Sequence, residues 1–367
     1  MSLEKLFLPN FSIGSNAYKD IYDICSNYGK KAVIISGTKS IQASIESILN
    51  NIKDIEITGM FHYGEKSTFE NIDLLKDKKA VMEADMIFAV GGGRALDTSK
   101  VLAHTINKPI FTFPTLASNC AAVTSISVVH NNDGSFKKMF SEKRPPLHTF
   151  INTDIILNSP ENYFIAGIGN AISKQYEALF STRNESLNYR NFLGIEIIKN
   201  CSNDMLKHYS EAINDFKNKK TTDTLKRIIL HIIYTTGLTS VIAKDEYHIS
   251  LAHGMYSGLT KIKRIREKLL HGELVSYGIL LLLTMDKQYE ARENVFNFNK
   301  SISLPTCLKD VGINKASLDD EELNIALDTA LMGKDLNISP YKVDKKMILK
   351  AIIDLEEFNN KQYLKKG

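Results

Sequence analysis

The sequence has little of what marks several large protein classes. It contains no tryptophan; 17 Phe and 15 Tyr supply the aromatic bulk, and that absence alone excludes nothing. Its four cysteines, Cys25, Cys120, Cys201 and Cys307, form no CxxC pair, which argues against a disulfide framework and a zinc ribbon. Net charge is small, 46 Lys+Arg against 42 Asp+Glu leaving +4 over 367 residues. With no long Lys/Arg block, that excludes a nucleic-acid footprint. The first residues have no apolar run behind a basic start, so no signal peptide is expected. The most apolar stretch, Ile279 to Leu283, is far short of the ~18 residues that span a bilayer. A reduced, soluble, cytoplasmic chain with neither nucleic-acid nor membrane partner is expected. What is present is ordinary globular composition, 43% hydrophobic and 24% charged, which excludes disordered, collagenous and coiled-coil proteins. The length points to two domains at roughly 100–200 residues each.

The first 160 residues alternate short apolar runs with helical patterns. Lys31–Ser36, Ile55–Tyr63, Ala84–Val90 and Pro109–Phe113 read as strands, and Ile41–Asn50 and Phe69–Met82 as helices between them. Continuous Val/Ile runs joined by helical crossovers predict a parallel α/β sheet. Ser125–His130 and Phe136–Phe140, around Asn131-Asn132-Asp133-Gly134, read as a β-hairpin. Ser159-Pro160-Glu161 is a helix start: a Ser cap, a Pro, then an acid. Beyond it nearly everything is helical, most clearly Leu225–Ala243, Leu274–Asp286 and Lys345–Glu356. An α/β half of residues 1–160 and an all-helical half of 161–367 are therefore expected, packed across a ligand-binding cleft.

Three segments carry chemistry. In Ala89-Val90-Gly91-Gly92-Gly93-Arg94 a buried strand runs into three glycines and then a helix. Glycine lets backbone approach a ligand, and a helix N-terminus offers free N–H groups to a diphosphate. The spacing is neither GxGxxG nor a P-loop, and a ligand-free glycine turn is the plain alternative. Phe113-Pro114-Thr115-Leu116-Ala117-Ser118 follows another strand, on the same sheet edge, where open α/β sheets bind ligands. Alone, it reads as an ordinary polar loop. The third signal is a pair of histidines, His253 in LAHGM and His271 in LHGE. Each alone is more simply a hydrogen-bonded core residue than a metal ligand. A glycine beside each leaves room for a substrate.

Together and in this order, GGGRALDTSK, FPTLAS, the hairpin around SISVVHNNDGSF, FIAGIGNAISKQYEA, LAHGMYSGLT and LHGELVSYG resemble the iron-containing (group III) alcohol dehydrogenase superfamily. The nearest branch is the glycerol dehydrogenase-like one, with glycerol-1-phosphate dehydrogenases and dehydroquinate synthases as cousins. The resemblance implies a Rossmann-like domain holding NAD or NADP, followed by a dehydroquinate synthase-like helical domain holding zinc or iron. Gly92, Gly93, Arg94 and Asp97 would surround the diphosphate and nicotinamide ribose. Thr115, Ser118, Thr124, Ile126 and His130 would line the rest of the groove. His253, His271 and the residue at Asn170 would hold a metal that stabilises the substrate alkoxide. A small alcohol or polyol is the implied substrate and a homo-oligomer the implied assembly.

Three positions depart from the family pattern. Asn170 stands where the family keeps an acidic metal ligand, so the ion is less compensated and metal affinity is expected to fall. On a helical wheel Asn170 lies with Lys174 and Glu177, away from the apolar stripe, which by itself describes a solvated face. Cys120 stands where the glycerol dehydrogenases keep a substrate-contacting Asp. The turn Ser36-Gly37-Thr38-Lys39 lacks the acid that receives the adenosine ribose, and Lys39 could pair with a 2′-phosphate, which leans toward NADP tolerance. Three other readings stay open: a polyol-phosphate dehydrogenase with Lys261–Arg266 as phosphate clamp, a dehydroquinate synthase-type lyase, and a non-catalytic nucleotide-binding protein whose site has decayed at Asn170 and Cys120. A solvated helix face is the simpler account of that basic segment.

Overall fold

The structure of the protein, a computed structural model, describes residues 5–314 and 316–364. Its contacts divide the chain into two compact units. One comprises Met1–Phe164 with Ser210–Val241, the other Ile165–Tyr209 with Ile242–Gly367.

The first unit is built on six parallel strands: β1 (Asn10–Gly14), β2 (Lys31–Ser36), β3 (Glu56–His62), β4 (Met86–Gly91), β5 (Ile110–Pro114) and β8 (His148–Asn152). Their order is β1-β8-β5-β4-β2-β3. Strand β4 is buried throughout and β2 almost so, as expected of Val/Ile runs covered on both faces. Aromatic rings fill the sheet's core; Phe113 stacks on Phe150 at 4.9 Å, with Phe88 and Tyr18 around them. The remaining strands, β6 (Ile126–His130) and β7 (Phe136–Ser141), form the expected antiparallel hairpin. Gly134, at φ +86°, makes its turn.

Two strands, β1 and β8, join the sheet without having announced themselves in the sequence. The residues of β8, HTFIN, are fully buried yet carry His, Thr and Asn, so they show no apolar run. The helix expected over Phe69–Met82 is two, Phe69–Lys76 and Lys79–Glu83, because Lys78 turns extended. The run 223–242 is helical, with a wider π turn at His231–Thr235. By length and composition this run could cross a membrane, a candidate the sequence reading passed over. Just over half of its most apolar window is buried inside the fold, as in a core helix, with Leu225, Ile228, Ile229, Ile232 and Ile233 all enclosed.

The second unit is helical. Four of its helices bear on function: α1 (Glu161–Ser181, all but its first turn), α2 (Leu251–Leu259), α3 (His271–Met285) and α4 (Glu321–Met332). They cross at glycines. A Cβ on Gly272 would stand 1.8 Å from the carbonyl oxygen of Ala166, and one on Gly278 2.6 Å from Ala252 Cα. One on Gly258 would meet Ala326 O at 2.1 Å. Backbone thus touches backbone, which no larger side chain permits. This corrects the reading of Gly272 as room for a substrate: the space beside His271 is filled by α1. The space beside Gly254 likewise faces the backbone of Ala330, 3.3 Å from a would-be Cβ.

Candidate active site

In the first unit β2 has β3 on one side and β4 on the other, so the chain's winding reverses there. Ligands of open α/β sheets bind at such a switch point, beyond the strands' carboxyl ends. The glycine turn lies at that place. Gly91 has φ +152°, and a Cβ on it would sit 2.8 Å from Ala95 Cβ. Gly92 precedes the helix Gly93–Thr105, and no side chain caps it. The helix's first N–H groups are therefore left for an anion. A Cβ on Gly92 would meet Leu116, and one on Gly93 the amide of Asn119, both at 2.9 Å. The loop after β5 therefore closes over the glycine turn. Thr115 Oγ1 donates to Ser40 Oγ at 3.2 Å, bringing in the helix that follows β2. Ser118 and Arg94 are at least partly exposed in the same neighbourhood.

Asp97 is buried and faces the hairpin. It accepts from the Val128 N–H at 3.2 Å and pairs with Lys100 at 3.2 Å. Burial pushes its pKa up to about 6 despite that lysine. Lys100 also donates to the Thr124 carbonyl and hydroxyl and to the Ile126 carbonyl. Asp97, Thr124 and Ile126 thus form one anchor that ties hairpin to helix, with His130 at the far end of β6. Cys120 is half-buried; a Cβ on Gly237 would stand 3.3 Å from its Cβ.

In the second unit the crossing of α1 and α3 brings Asn170 to His271. The distance from Asn170 Oδ1 to His271 Nε2 is 3.1 Å. The crossing of α2 and α3 brings the rings of His253 and His271 to 5.5 Å. Glu177, wholly buried, organises the group. One of its oxygens accepts the N–H groups of Ser250 and His253 at the start of α2, at 2.7 and 3.1 Å. The other lies 2.6 Å from His253 Nδ1. Burial alone would raise the Glu177 pKa; the His253 ring and Lys174 outweigh it and hold the carboxyl ionised. Burial, then the charges of His253 and Lys174, press His271 down to about 3, so its imidazole is neutral. Tyr256 meets the His271 ring edge-on at 4.2 Å.

These residues fit a divalent cation. A carboxylate on Nδ1 fixes a histidine tautomer with Nε2 free, the usual arrangement behind a metal-ligating imidazole. Neutral nitrogens and an amide oxygen are competent donors. Among the described residues no three His, Cys, Asp or Glu side chains gather as a ligand set, so such a site needs the Asn170 amide. Glu177 is the residue the sequence reading did not count. Its signal was spacing, since it lies seven residues after Asn170 on the same helix stripe. That stripe is no solvated face: Asn170, Lys174 and Glu177 are all buried.

The basic segment is engaged elsewhere. Arg264 pairs with Glu322 and donates to the Gly312 carbonyl, and Lys263 faces Glu267 at 3.9 Å. It reads as a solvated face rather than a phosphate clamp.

The sequence profile described as iron-containing alcohol dehydrogenase matches residues 9–152. Hydroxycarboxylate dehydrogenase A of Escherichia coli K12 is 30% identical over 298 residues, 80% of this chain and 79% of that protein. The chain belongs to the iron-containing alcohol dehydrogenases. Glycerol dehydrogenase of Thermotoga maritima is 26% identical over 353 residues, 95% of each chain. The crystal structure of glycerol dehydrogenase from Schizosaccharomyces pombe superposes with a TM-score of 0.89 at 25% identity, covering 100% of this chain and 94% of that one. This alcohol dehydrogenase falls in the glycerol dehydrogenase-like branch and is a nicotinamide-dependent alcohol oxidoreductase.

Proposed function

We propose that this alcohol dehydrogenase oxidises a small polyol of the glycerol type, or reduces the matching carbonyl compound. The observation that carries the reading is the hydrogen-bonded set Glu177–His253 beside His271 and Asn170. Asn170, His253 and His271 would hold the metal, zinc or iron, weakly because an amide replaces an acid. Bound there, a divalent cation supplies Lewis-acid stabilisation of the developing alkoxide. Glu177 orients His253 and keeps its Nε2 available. Burial keeps His271 neutral, so it can offer a lone pair at neutral pH.

Residues 1–160 would hold the dinucleotide and 161–367 the metal and substrate. Gly92, Gly93 and Arg94 would take the diphosphate at the uncapped helix start. Thr115, Ser118, Thr124, Ile126 and His130 would line the rest of the groove. Asp97 would act through the hairpin it anchors. Cys120, in place of the relatives' substrate carboxylate, argues for a substrate other than glycerol, or for slow turnover of it. The exposed Lys39 after β2, with no acid in its turn, supports use of NADP beside NAD. A cytoplasmic homo-oligomer is the accompanying expectation. The test is an NAD(P)H-coupled screen of small polyols, aldehydes and polyol phosphates with metal analysis of the purified protein. Reversible NAD(P)H turnover on a polyol is expected; no net cofactor turnover on any of them defeats the reading.

A further inference from the structure

Asn170, Lys174 and Glu177 lie at i, i+4 and i+7 on α1, one stripe of one helix. Lys174 is only 5% exposed, and a lysine that deep needs partners. Its Nζ donates to His248 Nδ1 at 3.1 Å, and the other nitrogen of that ring lies 3.5 Å from Asp245. Its charge reaches Glu177 and His271, and also Asp245 and Asp335, whose carboxyls are raised by burial. A family acid has thus given way to a neutral amide at 170, while an ammonium sits one helical turn further on.

We propose that Lys174 is the resident cation of this centre, and that its charge, with the uncharged Asn170 amide, sets how weakly the protein holds a divalent metal. The proposal rests on Asn170, His253 and His271 being the ligands. A fixed positive charge in a water-poor interior repels a doubly charged ion far more than the same charge in water does. Glu177, Asp245 and Asp335 offset it, but Glu177 is already committed to His253 and to the start of α2. With a neutral residue at 174 the same three carboxylates would face the ion alone. Lys174 acts through the field it makes and is no ligand itself.

The experiment is an equilibrium titration of the chelator-treated full chain with Zn2+ against a chromophoric chelator. The variants are Lys174→Met, Lys174→Gln, Lys174→Arg and His271→Ala, with circular dichroism to select the folded ones. The two neutral variants should bind Zn2+ at least tenfold tighter than the parent, equivalent to about 1.4 kcal/mol. Lys174→Arg, which keeps the charge, should stay within threefold, and His271→Ala should lose binding. If either folded neutral variant binds within threefold of the parent while His271→Ala loses binding, the ligand set stands and the role of Lys174 is overturned. If His271→Ala binds as well as the parent, the ligand set itself fails, and this proposal with it.

Discussion

On the proposed ligand set, two residues seven positions apart on one helix would pull the metal centre in opposite directions. Glu177 would strengthen it: wholly buried and ionised, it lies against His253 Nδ1 and leaves Nε2 free for the ion. Glu177→Gln should weaken Zn2+ binding by about 10- to 100-fold, as loss of a carboxylate behind a ligating histidine does. Chelator competition measures that directly, and kcat should fall with it. Asn170 would weaken the centre, because an amide brings no charge to a 2+ ion. Asn170→Asp should raise both metal content and dehydrogenase rate; if neither moves, residue 170 does not touch the metal. Asn170 and Cys120 were legible as departures because a motif surrounds each. Glu177 was not, since a carboxylate on a polar helix stripe looks the same whether it faces water or a buried imidazole.

Among elements, helix crossings decide the site. Ala166 carbonyl and Gly272 Cα sit too close for any side chain, and that approach sets the 3.1 Å between Asn170 and His271. Gly272→Ala should destabilise the protein by about 2–3 kcal/mol in denaturant unfolding, since the opposing atom is backbone and cannot rotate away. Zn2+ affinity should drop with it. Strands β1 and β8 give the second test. Ser12 on β1 contacts His148 Nε2 on β8 at 3.0 Å. Burial presses His148 down to about 4, with Asp20 opposing. The folded chain therefore takes this proton less readily than the unfolded one, whose histidine titrates near 6.5. The stability is present above pH 6.5 and is lost as pH falls through 4. The melting temperature should drop over that window. His148→Gln should remove up to about 3 kcal/mol of the dependence between pH 6.5 and 4. Neither strand shows in the sequence as an apolar run: β8 is buried by its neighbours although His, Thr and Asn carry no hydrophobic signal, and β1, NFSIG, is a half-buried edge.

For the molecule as a whole, a cofactor that binds only the folded chain must stabilise it. NADH at 100 times its Kd should contribute about 2.7 kcal/mol, visible as a higher melting temperature. NADPH should do nearly as well if Lys39 receives a 2′-phosphate; a kcat/KM ratio strongly favouring NAD would remove that idea. The amino-acid order by itself determined the α/β-then-helical architecture, the glycine turn and the motifs in which Asn170, His253 and His271 stand. Those follow from local periodicity and from motifs that lie within a few residues of one another. Only the tertiary structure decided that 210–241 packs with the first unit, that β1 and β8 complete the sheet, and that Asn170, Lys174 and Glu177 are buried. A helix wheel shows which residues share a face; what covers that face depends on crossings between segments some hundred residues apart.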